Sequence, residues 1–455
     1  MQQLLENQRE FFKSQQTKSV SFRKNYLKKL ATAITTYEDE ICDAIYLDFK
    51  KPKFETILTE TQFVLAELHT AIKKLNSWAA PKSVRTSWAN WPSSDYIYKE
   101  PYGSVLIIAP WNYPFQLAIA PLIGAVAAGN TAVIKPSEIT PNTSEILVKI
   151  INEVFPKKYV TVVEGGVEVS QNLLAQKWDY IFFTGSSHVG KIVYESAAKH
   201  LTPVTLELGG KNPAIVDETA NIEVAARRIA WGKFLNAGQT CIATDYILVH
   251  TSVKEKLVQE LIKSIKQFYG STIESSADFA RTVSNKHFSN LLALLEDEKI
   301  IFGGENNPQD NYLAPTLVDE PKMDSKVMQG EIFGPILPII SYKTLEDIDN
   351  YISTYEKPLA TYVFSANKVF QDTIMSTYSF GGGAINDTVI HIANKNLPFG
   401  GVGASGIGVY HGKTSFDTFS HSKAILKKGT WLDIPLRYPP YKLSLDFAKK
   451  LKKMF

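Results

Sequence analysis

Cys241 closes the segment FLNAGQTC at 234–241, a glycine-containing stretch behind a run with helical spacing. A thiol in an irregular, polar segment is accessible and can act as a nucleophile once ionised. The other reading of a lone cysteine is a small buried hydrophobe, and Cys42, inside the helical pattern of residues 37–49, takes that reading. Glu207 ends an apolar run in LELGGKNP at 206–213. A carboxylate there is costly unless it is paired or functional, and strand C-terminal ends are where open α/β sheets bind ligands. Asn112, in PWNYPF at 110–115, follows another apolar run. Its amide is either a donor to a developing oxyanion or an ordinary turn residue. Thiol, carboxylate and amide donor are the parts from which covalent catalysis is built.

Positioning three groups so far apart in the chain requires a regular scaffold, and the pattern from Gly103 onward supplies one. Residues 104–109, 131–134, 159–163, 180–183 and 204–208 read as short buried strands. Between them, residues 116–128, 167–174 and 189–198 read as helices, and Thr140-Pro141 reads as a helix start with a hydroxyl cap and proline at the first position. Strands alternating with helices imply a parallel sheet with right-handed crossovers. A second alternating set follows. Its strands are at 215–216, 246–249, 337–340 and 361–364, and its helices at 222–234, 253–268, 345–353 and 368–377. Gly209-Gly210 punctuates the chain between the two sets. Ahead of them lie helical patterns through Phe22, Tyr26, Leu30 and Ile34, through Ile41 and Ile45, and over residues 58–75. Residues 81–92 read as irregular and 96–98 as a short strand.

With 455 residues, 44% hydrophobic and 21% charged, the chain has the composition of an ordinary multidomain globular protein. The net charge of +3 gives no argument for nucleic-acid binding. Two cysteines are too few for a disulfide scaffold, so a reducing compartment, the cytoplasm, is expected. The eight histidines show no metal-ligand spacing, and no metal is expected. The first 19 residues lack an apolar signal core, and no apolar run approaches the ~18 residues of a spanning helix. GVGASG at 401–406 matches GxGxxG, but it lacks the strand before and helix after that phosphate binding needs.

Together these segments resemble the aldehyde dehydrogenase superfamily, in particular its class 3 type. The likeness rests on PWNYPF at 110–115, KPSE at 135–138, FTGSSHVG at 183–190, LELGGKNP, FLNAGQTC, EIFGP at 331–335, PFGG at 398–401 and the more class-specific RYPPY at 437–441. It implies a Rossmann-like parallel-sheet cofactor domain (1–82 and 99–206), a second α/β catalytic domain (207–400), a small β oligomerisation arm with bridging segments (83–98 and 401–435) and a tail (436–455). It also implies oxidation of an aldehyde to a carboxylic acid through a thioester on Cys241, with Glu207 activating water. Asn112 and the Cys241 N–H would hold the oxyanion. NAD is the expected cofactor, with NADP admitted. Gly185, Ser186 and Gly190 would lie beside the dinucleotide, together with Leu208 and Gly209. Lys135 and Glu138 would contact the adenine ribose, Glu331 the nicotinamide ribose, and Phe333 would pack nearby. A homodimer is implied, and a medium- or long-chain aliphatic or aromatic substrate. The sequence departs from the class 3 pattern at Thr244, where proline is frequent.

Two other functions remain open at this point. One is transfer of the acyl group to coenzyme A or phosphate, against which Glu207 argues. The other is a catalytically idle binding protein on the same fold. At the C-terminus, Leu443, Phe447, Leu451 and Phe455 recur every fourth residue among five lysines. Such a helix can lie peripherally on an anionic membrane surface, or dock on the protein body.

Overall fold

The structure is a computed structural model, and it describes residues 1–433, 435–441 and 444–451. The larger of two units takes in residues 1–78 and 101–421. Its first sheet has six strands in the order Gly406–Ile407, Val204–Glu207, Tyr180–Thr184, Ser104–Ile108, Thr131–Lys135, Val160–Val162. All are parallel except the two-residue Gly406–Ile407 edge, which runs antiparallel to Val204–Glu207. Ser104–Ile108, Thr131–Lys135 and Tyr180–Thr184 are buried at every residue, as expected of strands covered on both faces. The chain reverses its winding direction between Ser104–Ile108 and Tyr180–Thr184, and such a switch point opens a crevice at the strand C-termini.

Helix Gln116–Ala128 is apolar on all sides and buried at every residue, so it forms a core rather than a surface layer. Gly129 ends it at φ +103, a left-handed cap that only glycine adopts without strain. Helix Pro141–Val154 starts with proline as expected, but the hydroxyl of Thr140 makes no cap bond. The Asp48 carboxylate accepts the N–H groups of Asn142 and Thr143 instead, at 3.1 and 2.9 Å. A distant anion thus satisfies the helix terminus.

The second sheet of this unit has seven strands in the order Ile300–Phe302, Thr316–Asp319, Ile336–Tyr342, Tyr246–His250, Pro213–Val216, Ala360–Phe364, Gly382–Ile385. It is parallel apart from the Ile300–Phe302 edge. Residues 401–421, which the resemblance assigns to the bridging segments, fall within this unit. Gly406–Ile407 extends the first sheet, and Gly124 leaves room for Ser415 and Phe419 against helix Gln116–Ala128. The GVGASG segment is a turn into that edge strand and opens no helix.

The smaller unit, residues 79–100 and 422–455, centres on a three-stranded sheet ordered Lys82–Val84, Ser93–Pro101, Ser420–Lys428. The region read as irregular therefore contains a strand, Lys82–Val84, and the short strand expected at 96–98 runs for nine residues. Lys423 pairs with Glu100 at 2.7 Å. Ser420–Lys428 is an outer strand that exposes Ile425 and Leu426. Helix Leu445–Leu451 exposes Leu445 and Phe447. Of the proposed apolar stripe, Leu443 and Phe455 lie outside the described residues.

Candidate active site

Cys241 follows a backbone feature that few sequences tolerate. Asn236, Ala237 and Gly238 are three successive residues with φ of +56°, +51° and +76°. Two non-glycine residues in the left-handed region store strain, which persists only where surrounding contacts over-determine it. Those contacts are present. Glu55 accepts the Asn236 N–H at 2.8 Å, and the Asn236 amide donates to Asn112 O at 2.8 Å. The Gln239 amide donates to Arg281 O at 2.9 Å and its oxygen accepts the Val283 N–H at 2.9 Å. A side chain on Gly238 would collide with the backbone of Gly334, so this glycine lets the Glu331 segment close over the cysteine turn. On the far side, Asn212 donates to Cys241 O at 2.7 Å and Tyr362 donates to Ile242 O at 2.6 Å. The thiol is thus fixed from both flanks.

Glu207 occupies the last position of its strand, beside Thr184 on the parallel neighbour. It is 2% exposed, and neither carboxylate oxygen has a hydrogen-bond partner among the described residues. Desolvation holds it well above the usual carboxylate range. Cys241 is pushed up as well, first by desolvation and then by the Glu331 and Glu207 carboxylates, while the N–H groups of Cys241 and Ile242 act in the opposite sense. Asn112 is buried, and its amide nitrogen donates to Gln239 O at 3.1 Å. That bond uses one of two N–H groups and aims the carboxamide at the cysteine turn.

Two cavities meet here. The first, about 300 Å³, lies at the switch point. Pro110, Trp111, Asn112, Thr184, Gly185, Ser186, Glu207, Leu208, Gly209, Cys241, His287, Glu331 and Phe333 line it. The second, about 580 Å³, is mostly apolar, with Phe54, Leu58, Phe63, Leu117, Trp231, Phe268, Ile392 and Phe399 in its wall. Its polar lining includes Glu55, Tyr269, Asp278 and Tyr410. Only Thr184, Glu207 and Cys241 line both cavities.

Several features of the smaller cavity fit a dinucleotide. Helix Ser187–Ala198 begins at its edge, with Ser186 as N-cap, and offers N–H groups suited to a pyrophosphate. A side chain on Gly190 would strike Leu208, and one on Gly209 would fill the space of the Glu331 carboxylate. Thr184 Oγ1 is buried without a partner among the described residues. Lys135 and Glu138 do not line this cavity. They sit at the end of the adjacent strand, joined at 2.6 Å. Desolvation is the largest single influence on Glu138 and would raise it, but the Lys135 bond, the residue's own N–H and the Lys135 charge together hold the carboxyl below its usual value.

The sequence reading passed over other parts of the site. Trp111 packs edge-on to Phe333 at 5.3 Å, and His287 donates from Nε2 to Phe333 O at 2.9 Å. Phe333 itself has φ +55°. Behind Glu331, the buried Lys211 ammonium bonds Asp245 at 2.7 Å and the carbonyls of Val327 and Gly330 at 3.0 and 2.9 Å. Asp245 also accepts the Ile332 N–H at 2.9 Å. Lys211 stood in a quoted motif, and a buried lysine there could have been flagged as needing a partner. Nothing in the sequence signals His287. Thr244, the departure from the class 3 pattern, is fully buried, and its hydroxyl has no partner among the described residues.

Residues 1–425 match the aldehyde dehydrogenase family. The chain is 52% identical over 441 residues to the 4,4'-diaponeurosporen-aldehyde dehydrogenase of Staphylococcus aureus, covering 96% of each chain. It is 42% identical over 440 residues to the dimeric NADP-preferring aldehyde dehydrogenase of Canis lupus familiaris, covering 96% of this chain and 97% of that one. A solved structure of the substrate-bound state of Staphylococcus aureus AldH superposes with a TM-score of 0.97 at 51% identity, covering 99% of both chains.

Proposed function

This chain belongs to the aldehyde dehydrogenase family and is an NAD(P)-dependent enzyme that oxidises aldehydes; from that premise we propose that Cys241 is the nucleophile, Glu207 the base for hydrolysis, and the larger cavity the aldehyde site. The observation that carries the proposal is that Cys241 and Glu207 line both the larger, apolar cavity and the smaller one at the switch point. An aldehyde in the first cavity and a nicotinamide in the second would have the thiol between them.

Cys241 Sγ loses its proton to solvent and, as the thiolate, adds to the carbonyl carbon as the C=O π bond opens onto oxygen. The oxygen takes up charge against the free N–H of Asn112 and the Cys241 N–H, donors each worth about 3 kcal/mol. When bound, the dinucleotide supplies acceptance of the hydride. The acyl group then rests on Cys241 as a thioester. Glu207 takes a proton from water, which attacks the thioester carbon. Glu331, Phe333, Gly185, Ser186, Gly190, Leu208 and Gly209 would hold the nicotinamide half and the pyrophosphate, and Lys135 with Glu138 the adenine ribose. An ionised Glu138 repels a 2′-phosphate, which favours NAD over NADP. In domain terms, 1–82 with 99–206 would bind the dinucleotide and 207–400 would carry catalysis.

The 580 Å³ cavity fits neutral, medium or long aliphatic or aromatic aldehydes. The Asp278 carboxylate in its wall, joined above about pH 7 by Glu55, whose carboxyl is pushed up to about 7 by burial, disfavours a second acid group on the substrate. Exchanging sulfur for oxygen in Cys241→Ser should abolish NAD(P)H formation and leave nucleotide binding, read by fluorescence titration, within about twofold of the parent enzyme. Retained turnover would refute the assignment.

Among the described residues no helix is long and apolar enough to cross a membrane. The exposed outer strand Ser420–Lys428 is an edge suited to pairing with a second copy, in line with a homodimer. The basic tail, with Leu445 and Phe447 exposed, suits an anionic membrane surface. Light scattering tests the first idea. Vesicle co-sedimentation of the full chain, against one ending at Pro440, tests the second. A monomeric mass, or equal sedimentation of both chains, would remove the corresponding proposal.

A further inference from the structure

Buried polar groups in folded proteins almost always have partners, so several without them at one place mark where something else is held. Thr184 Oγ1, both oxygens of Glu207 and the hydroxyl of Tyr410 are all buried without a partner among the described residues. All three residues line the 580 Å³ cavity together with Cys241. Their convergence follows from the register. Thr184 and Glu207 are cross-strand neighbours, two positions beyond the Phe182–Thr205 pair on the same sheet face. The Tyr410 ring packs edge-on to Phe182 at 5.1 Å, so it lies over that face. Phe399 at 5.8 Å and His411 at 4.2 Å hold the ring from other sides. The strand Gly406–Ile407, bonded to Leu206 and Glu207, delivers Tyr410 to this position three residues later. Tyr410 is 1% exposed, and its phenol is held above the ordinary tyrosine range first by desolvation and then by the nearby Glu207 and Cys241. The ring is fully packed, its hydroxyl has no partner among the described residues, and the residue forms part of the cavity wall that Glu207 and Cys241 also line.

We propose that Tyr410 is a further catalytic residue, whose hydroxyl oxygen holds the hydrolytic water beside Glu207 for attack on the Cys241 thioester. The proposal rests on the thioester reading above. One O–H of the water faces a Glu207 oxygen, and the other is accepted by the Tyr410 oxygen. This turns a water lone pair toward the acyl carbon. As the C–O bond forms, Glu207 takes the first proton. The tetrahedral adduct then expels the Cys241 thiolate as the C–S bond breaks, and the acid leaves. The proton on Glu207 returns to the thiolate, so atoms and charge balance without any further reactant. Tyr410 touches only the water, so the proposal separates it from the hydride step.

Tyr410→Phe keeps the ring and its three aromatic contacts and deletes only the hydroxyl. The holoenzyme is mixed with excess medium-chain aldehyde and NAD, followed by stopped-flow absorbance, and quenched for intact-protein mass spectrometry. The expected result has three parts. The first turnover of NADH forms within about twofold of the parent rate. Steady turnover falls at least tenfold. The acyl adduct on Cys241 accumulates. An unchanged steady rate would overturn the proposal, and so would equal slowing of the first turnover and the steady rate without adduct. If Tyr410→Phe does not fold, 3-fluorotyrosine at position 410 keeps ring and hydroxyl and weakens the oxygen as an acceptor. It should slow adduct breakdown with the first turnover intact, and unchanged breakdown would overturn the proposal. If the parent enzyme itself yields no NADH from aldehydes, the thioester reading fails; if the parent turns over and the variants match it, only the role of Tyr410 fails.

Discussion

A carboxyl held without partners in an apolar wall has measurable consequences beyond catalysis. Glu207 keeps its proton in the folded protein at pH values where the unfolded chain, near 4.5, has lost it. The folded state is therefore favoured by this group below pH 4.5, and that contribution is lost as pH rises toward the raised native value. Glu207→Gln removes the ionisation. Its thermal midpoint should match the parent near pH 4.5 and exceed it at pH 8. Coincident midpoints at both pH values would show that the carboxyl is not held up by burial. Turnover runs the opposite way: desolvation holds base and thiol toward their protonated forms, so the rate should climb on the alkaline side. Glu207 stands out in the sequence because a carboxylate is out of place at the end of an apolar run, and Cys241 because its thiol lies in an irregular, polar segment. Tyr410 does not, because a tyrosine in a core is ordinary, and only the fold reveals that it lines a cavity with Glu207 and Cys241. Thr184 sat inside a quoted motif, but its pairing with Glu207 is a property of register, which short strands do not announce.

At the scale of elements, the cysteine turn and the Glu331 segment form one assembly, pinned from behind by the Lys211–Asp245 pair. Removing one partner of a buried ion pair typically costs 3–5 kcal/mol, since the other is left uncompensated. Lys211→Met should lower stability by about that much. It should also raise the KM for NAD at least fivefold with the aldehyde KM nearly unchanged, because the freed carbonyls of Val327 and Gly330 flank Glu331. An equal rise in both KM values in steady-state assays would show general loosening instead. The elements themselves were largely readable. Helices Gln116–Ala128, Ile222–Phe234, Leu345–Ser353 and Lys368–Thr377 begin and end where periodicity placed them. The overlooked pieces share a cause. Gly382–Ile385 is a strand made mostly of small residues, and a side chain on Gly383 would strike the Thr361 carbonyl of its neighbour, so packing excludes the residues that would have signalled a strand. Ile300–Phe302 and Gly406–Ile407 are too short for alternation to register. Helix Asn285–Ala293, which carries His287, is nine residues long and buries only Phe288 and Leu291, so its apolar face is short.

Over the whole molecule, the volume and lining of the larger cavity govern what is oxidised. Each methylene moved from water to an apolar wall contributes about 0.8 kcal/mol, or roughly fourfold in kcat/KM. Across straight-chain aldehydes, kcat/KM should rise by about that factor per carbon and level off once the cavity is filled. A terminal carboxylate of the same length should lower it at least tenfold, given Asp278 and, above about pH 7, Glu55. A flat series, or preference for the acid-bearing aldehyde, would assign the substrate elsewhere. Two α/β sheets were readable from alternation alone. The three-stranded sheet of the smaller unit was not, because its strands come from distant parts of the chain and only one had a recognisable pattern.

Two chambers that touch at no residues except Thr184, Glu207 and Cys241 also set a kinetic rule. With so little wall in common, neither ligand should have to wait for its counterpart to arrive or depart. A long-chain carboxylic acid, the spent form of the substrate, should therefore inhibit competitively against aldehyde and only non-competitively against the nucleotide.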